Sequence, residues 1–137
     1  MITFQMGYGT GNPMFKIKTE QYAGWKIVAL HGDLDQAGIE VFKKGIEELL
    51  AEPGKQYLFD LTNLKFISSE GLNILLWFRF QLEKQGPAKV ILTNVSGFIQ
   101  KIFNITKIDA HFDIQPDREM FFAGLSANNQ ESARKGQ

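Results

Sequence analysis

The chain has no cysteine, which excludes disulfides, thiolate metal sites and a cysteine nucleophile. That absence suits a reducing compartment, and a cytoplasmic location is the expectation. Charge of one sign is also missing, because fifteen basic and fifteen acidic side chains cancel. No long-range field is left to gather nucleic acid or an anionic membrane, so no direct nucleic-acid contact is expected. Long hydrophobic runs are absent too: the longest, GLNILLWF at 71–78, is far shorter than a bilayer requires and is followed at once by Arg79. No membrane insertion is expected. The opening stretch MITFQMGYGTGNPMFK lacks the basic start and continuous apolar segment of a signal peptide, so no export by that route is expected. Histidine is scarce, and His31 and His111 stand apart without metal-ligand spacing or a catalytic partner set. Neither a metal nor a cofactor is expected.

What is present suits one globular domain: 137 residues, 44% of them hydrophobic, can bury a real core but leave little room for a second. Residues 1–13 read as a flexible arm rich in glycine, and 128–137 as a flexible tail without apolar periodicity. The GYGTGNP segment resembles a phosphate loop only superficially. No strand precedes it, no helix follows, and the lysine–hydroxyl pair is missing.

Between the ends, FKIKTE and WKIVAL predict a hairpin around Gln21, Tyr22, Ala23 and Gly24. Ile39, Phe42, Ile46, Leu49 and Leu50 recur at helical spacing within 36–50, opposite Glu40, Lys43, Lys44, Glu47 and Glu48. QYLFDL then predicts a strand, GLNILLWFRFQLEKQ a helix ended by Gly86 and Pro87, and AKVILTNV another buried strand. Ser96 is placed to cap a helix with Phe98, Ile99, Ile102 and Phe103 on its inner face. A short strand around HFDI and a last helix opened by Pro116 and Asp117 follow. Strands separated by single helices imply parallel neighbours, so the class is α/β with a mixed sheet: an N-terminal hairpin, then alternating helices and mostly parallel strands.

One corner stands out. In KFISSEGLNIL, residues 65–75, two hydroxyls, a carboxylate and a glycine interrupt an apolar run where a strand gives way to a helix. With the strand ending near Asp60 and the helix beginning near Glu70, Ser69 falls at the N-cap. The free amides and dipole of a helix start would also favour a phosphate there. Gly71 lowers helix propensity by roughly 1 kcal/mol relative to alanine, and its expected return is close approach by a partner.

The segments LHGDLD at 30–35, LFDLTNLKFISSEGL at 58–72 and KVILTNVSGFIQKIFNITKIDAHFDI at 89–114 together resemble the STAS domain, the fold of sulphate-transporter domains and anti-sigma factor antagonists. The resemblance runs from about Phe15 to about Leu125, placing the domain at 14–127. It implies that Ser69 matches the phosphorylatable serine, with Gly71 and Leu72 matching the glycine and leucine that follow. Two positions depart from the family pattern: Ser68 stands where aspartate is usual, and Glu70 where a small or hydroxyl residue is common.

The resemblance further implies a regulator rather than an enzyme. Unphosphorylated, it would bind an anti-sigma factor that is also a serine kinase. Phosphorylation at Ser69 would release it, and a phosphatase would reset it. Its partner surface would comprise Asp33, Asp35, Ser68, Ser69, Glu70, Gly71 and Asn73. Asp60, ending the QYLF strand, is expected in a supporting role, tying the following loop together by hydrogen bonds rather than acting as a base. Asp33 and Asp35 also read as turn and cap chemistry, with Asp35 an N-cap. The alternative is an unphosphorylated STAS adaptor or structural subunit of a signalling or transport complex. A hydrolase built from Ser69, His31 and Asp33 lacks a nucleophile-elbow motif. In the second helix Ile74, Trp77, Phe78 and Phe80 spread beyond the core-facing side, leaving two readings open: cover by neighbouring helices, or an exposed strip for a partner or a homodimer.

Overall fold

The computed structural model of the protein describes residues 3–6, 15–52, 54 and 56–135, with side chains for 15–52, 54 and 56–126. The GYGTGNP segment lies outside the described residues. A six-stranded sheet forms from β1 (Thr3–Met6), β2 (Phe15–Tyr22), β3 (Trp25–Leu34), β4 (Gln56–Ile67), β5 (Lys89–Thr93) and β6 (Asp113–Gln115), in that spatial order. The first two pairings are antiparallel and the next three parallel. The expected arm therefore contains a strand, since Thr3–Met6 pairs with Ile17–Glu20.

The β2–β3 hairpin closes through Ala23 and Gly24 alone, both with positive φ (53° and 84°). Two left-handed residues in succession match the right-handed twist of the flanking strands, so Gln21 and Tyr22 stay in the ladder rather than joining the turn. The parallel strands are joined by α1 (Ile39–Ala51), α2 (Ser69–Gln85) and α3 (Gly97–Thr106), with a 3₁₀ turn at Ile108–His111 before β6. Strands added in one direction through right-handed crossovers place all three helices on one face. There Phe42, Ile46, Leu75, Phe78, Ile99 and Phe103 pack with Val28, Leu30, Tyr57, Phe59 and Leu92 in the main core. The opposite face carries a smaller cluster of Trp25, Ile27, Leu58 and Ile91, covered by Phe121, Phe122 and Leu125 of α4 (Arg118–Lys135). Helix thus occupies 128–135, where a tail is expected.

Two expected inner faces are corrected. Phe98 is exposed at the start of α3, because the burial stripe runs through Ile99 and Phe103. Phe78 is fully buried, meeting Tyr57 and Phe59 edge-on at 5.1 and 5.6 Å between ring centroids.

The largest departure is β4, which continues to Ile67 rather than ending near Asp60. Its register against β3 slips twice, from Ala29↔Asp60 to His31↔Asn63 and from Gly32↔Leu64 to Asp33↔Phe66. Each slip inserts one extra β4 residue, a β-bulge, so burial falls on Leu61, Leu64 and Ile67 at every third position. The β5 ladder ends at Asp60↔Thr93, and residues 61–67 carry the β3–β4 pair beyond it.

Candidate functional site

The projecting end of β3 and β4 leads directly into α2. Leu34 pairs with Ile67, and the Ser68 N–H donates to the Leu34 carbonyl at 2.9 Å, so the strand ladder is tied to the first residue beyond it. Ser68 has extended backbone angles, and its Oγ accepts from the Gly71 N–H at 3.2 Å. Ser68, not Ser69, is therefore the N-cap. The expected position is corrected by one residue because β4 runs on through Ile67, and the chain leaves extended geometry only after Ser68.

The shift frees Ser69. Its side chain is exposed in the first helical turn and has no hydrogen bond among the described residues. The Gly71 N–H goes to the Ser68 hydroxyl and the Leu72 N–H to the Ser68 carbonyl. The Ser69 and Glu70 amides are left as the orphan donors of a helix start. An exposed hydroxyl thus stands at the positive end of the helix dipole. Glu70 lies beside it, and Asn73 is exposed one turn further on.

Gly71 does something other than admit a partner. It is buried, and a Cβ built there would lie 2.9 Å from Leu34 Cδ2 and 3.0 Å from Ile67 Cγ1. The missing side chain lets the first turn of α2 settle onto the β3 and β4 ends, which corrects the expectation of outward access.

Asp33 and Asp35 flank Leu34, whose side chain and carbonyl face Gly71 and Ser68. The fold therefore gathers both carboxylates at the same end as Ser68, Ser69 and Glu70. Asp35 is not the cap of α1. Its Oδ1 accepts from the Ala37 and Gly38 amides at 3.1 and 3.3 Å, shaping a turn, and Gly38 occupies the cap position. A Cβ at Gly38 would lie 2.8 Å from Phe15 Cβ, so close packing against β2 requires glycine there.

Asp60 stands apart from this corner. Its carboxylate accepts from Thr62 N and Oγ1 at 3.0 and 2.5 Å and from Arg118 Nη1 at 3.1 Å, while Arg118 Nη2 reaches Glu20 at 2.9 Å. Asp60 thus binds α4 to the sheet. His31 shares a cleft with Lys18, Asp60, Asn63 and Arg118 on the face that α4 partly covers, whereas Ser69 opens a helix on the other face. The drawn triad of Ser69, His31 and Asp33 is not assembled. Burial and the neighbouring Lys18 and Lys16 push the His31 pKa down, against an opposing pull from Asp60.

One feature escaped the sequence reading. Phe66 is 38% exposed on the bulged end of β4, opposite Asp33 in register, with Lys65 exposed beside it. The three-residue spacing of Leu61, Leu64 and Ile67 was the available signal, since regular strands alternate by two. On α2, Trp77 and Phe80 are 43% and 41% exposed, so the aromatic strip is real but lacks Phe78. His111 packs edge-on against Phe80, with ring centroids 6.2 Å apart. Among the described residues no helix is long and apolar enough to cross a membrane, and no cluster of three or more His, Asp or Glu could hold a metal.

A model of the STAS domain matches residues 16–120. BtrV of Bordetella bronchiseptica, assigned by name as an anti-sigma factor antagonist, is 24% identical over 104 residues, covering 76% of this chain and 89% of BtrV. Among solved structures, an anti-sigma factor antagonist from Mycobacterium paratuberculosis superposes with a TM-score of 0.67 at 20% identity, covering 80% of this chain and 92% of that one. The anti-sigma factor antagonist SpoIIAA in its unphosphorylated form gives 0.61 at 18% identity, covering 81% and 97%. SpoIIAA of Bacillus in the phosphorylated form gives 0.58 at 19%, covering 78% and 97%.

Proposed function

The chain belongs to the STAS domain family, and from that premise we propose that it is a cytoplasmic anti-sigma factor antagonist, a partner-switching regulator controlled by phosphorylation of Ser69. In this reading the unphosphorylated corner of Asp33, Asp35, Ser68, Ser69, Glu70 and Asn73 docks on an anti-sigma factor serine kinase and so releases a sigma factor. The kinase transfers phosphate from ATP to Ser69, and a phosphatase removes it. The supporting observation is the free, exposed hydroxyl of Ser69 beside a serine that already supplies the cap. Modification of Ser69 therefore leaves the Ser68 cap intact.

The switch follows from desolvation. A neutral hydroxyl in a contact becomes a group with close to two negative charges, adjacent to Glu70, and burying it unpaired costs several kcal/mol. Glu70 adds like-charge repulsion, making the phosphorylated corner still harder to bury. Incubation of the purified protein with ATP, magnesium and lysate of its source, followed by phosphopeptide mapping, tests the reading. Phosphate is expected on Ser69 and absent from Ser69→Ala; phosphate confined to other residues would contradict it.

A second reading draws on Trp77 and Phe80, half exposed on the same helix. An adaptor that docks or self-associates through α2 without phosphorylation would use this strip. Sedimentation of the protein and of Trp77→Ser tests the self-associating form of this reading, which requires an assembly that the substitution dissolves.

A further inference from the structure

The sheet is incomplete at the end remote from Ser69. β6 pairs only with Ile91–Thr93, so Lys89 and Val90 have no strand beside them on that side, while Gln56 and Tyr57 pair with them on the other. Along a parallel ladder successive residues direct their N–H and C=O to alternate sides. One of the two therefore turns its backbone groups toward this side, where β6 begins only at Asp113.

A cavity of about 540 Å³ occupies this gap, between the C-terminal half of α2 and the 3₁₀ turn on one side and α4 on the other. Buried side chains form its walls: Trp25, Leu82, Ile91 and Phe112, with half-buried Phe121 set edge-on to Trp25 at 5.2 Å between centroids. Its volume falls in the range of small-molecule sites, which are mostly apolar with a few placed polar groups. The charges around it balance: Arg79 bonds Glu83 at 2.9 Å, and Lys89 offsets Asp113. Charge balance disfavours a strongly ionic ligand, and aromatic walls favour a flat one.

We propose that this gap is a binding site for a neutral, planar aromatic or heteroaromatic molecule whose edge carries an amide-like N–H and C=O, which pair with the open β5 backbone. The ligand lies between Trp25, Phe121 and Phe112 and supplies the hydrogen bonds that a longer β6 would have made. The site is separate from the Ser69 corner and does not depend on its phosphorylation.

The test is a ¹H–¹⁵N titration of the full chain with 2-quinolinone, a fused bicyclic lactam, and with its N-methyl derivative, which lacks the donor. Saturable shifts centred on Lys89, Val90 and Phe121 are expected, with a dissociation constant of about 1 mM or tighter for so small a probe. N-methylation should weaken binding at least about tenfold, the loss of one well-made buried hydrogen bond. Phe121→Leu, which keeps an apolar anchor on α4, should weaken it at least about threefold, on the order of an aromatic contact. Absence of saturable binding, shifts centred on Trp77 or Phe98 instead, or equal affinity for the N-methylated probe would each overturn the assignment.

Discussion

Ser68 and Ser69 are neighbours of one type with opposite physical duties. Ser68 Oγ satisfies a helix amide, while Ser69 Oγ meets solvent. Ser68→Ala should cost about 1 kcal/mol in urea unfolding, the usual loss of an N-cap, and Ser68→Asp should restore most of it. Ser69→Ala should lie within about 0.5 kcal/mol of the parent, as expected for a surface change. Gly71→Ala gains helix propensity but forces a methyl group against Leu34 and Ile67. A net loss of about 1–2 kcal/mol is expected in the same assay, because overpacking outweighs the propensity gain.

The lowered pKa of His31 gives a signed dependence on pH. Between its folded value and the unfolded 6.5, the unfolded chain binds more protons, so acidification through this window destabilises the fold and stability is full above it. Lys16, Lys18 and Glu20 from β2, Asp60 from β4 and Arg118 from α4 are the charged groups around it. His31→Gln should flatten the change in urea midpoint between pH 7.5 and 5 relative to the parent, and an unchanged slope would refute the assignment. Neither this shift nor the cap at Ser68 could be read beforehand, since each depends on which residues the strands bring opposite one another.

Among the elements, α1, α2 and α3 were legible because their apolar residues recur at helical spacing between clear breakers, and β2, β3 and β5 because β-branched runs sit between turns. β4 was not. Its two bulges replace alternation by a three-residue spacing, and Asp60 looks like a strand end although its carboxylate is satisfied within the fold by Thr62 and Arg118. The length of α4 was equally hidden, because its last turns lack an apolar stripe and its docking depends on Trp25 and Ile27 from a distant hairpin. Arg118 clasps that helix to β2 and β4 through Glu20 and Asp60. Arg118→Met should destabilise by about 1 kcal/mol, a figure kept small because the guanidinium is partly exposed. Amide exchange should quicken in α4 before the central strands; uniform acceleration would show that α4 is not a separately opening unit.

At the scale of the molecule, the same directional winding that puts three helices on one face leaves the other to α4 and half open. The β3–β4 pair extends beyond β5, so the start of α2 stands at a projecting end with Asp33, Asp35, Lys65 and Phe66 around it. The family and the α/β order could be read from LHGDLD, LFDLTNLKFISSEGL and the segment after Lys89; the division of labour within SSEG could not, because a one-residue shift in the helix start decides it. The most direct test is the affinity of the protein, with and without phosphate on Ser69, for the anti-sigma factor kinase recovered from its source, measured by calorimetry. Weakening by at least about a hundredfold on phosphorylation, equivalent to about 2.7 kcal/mol, is the predicted result. Equal affinity of the two forms would contradict the switch at Ser69.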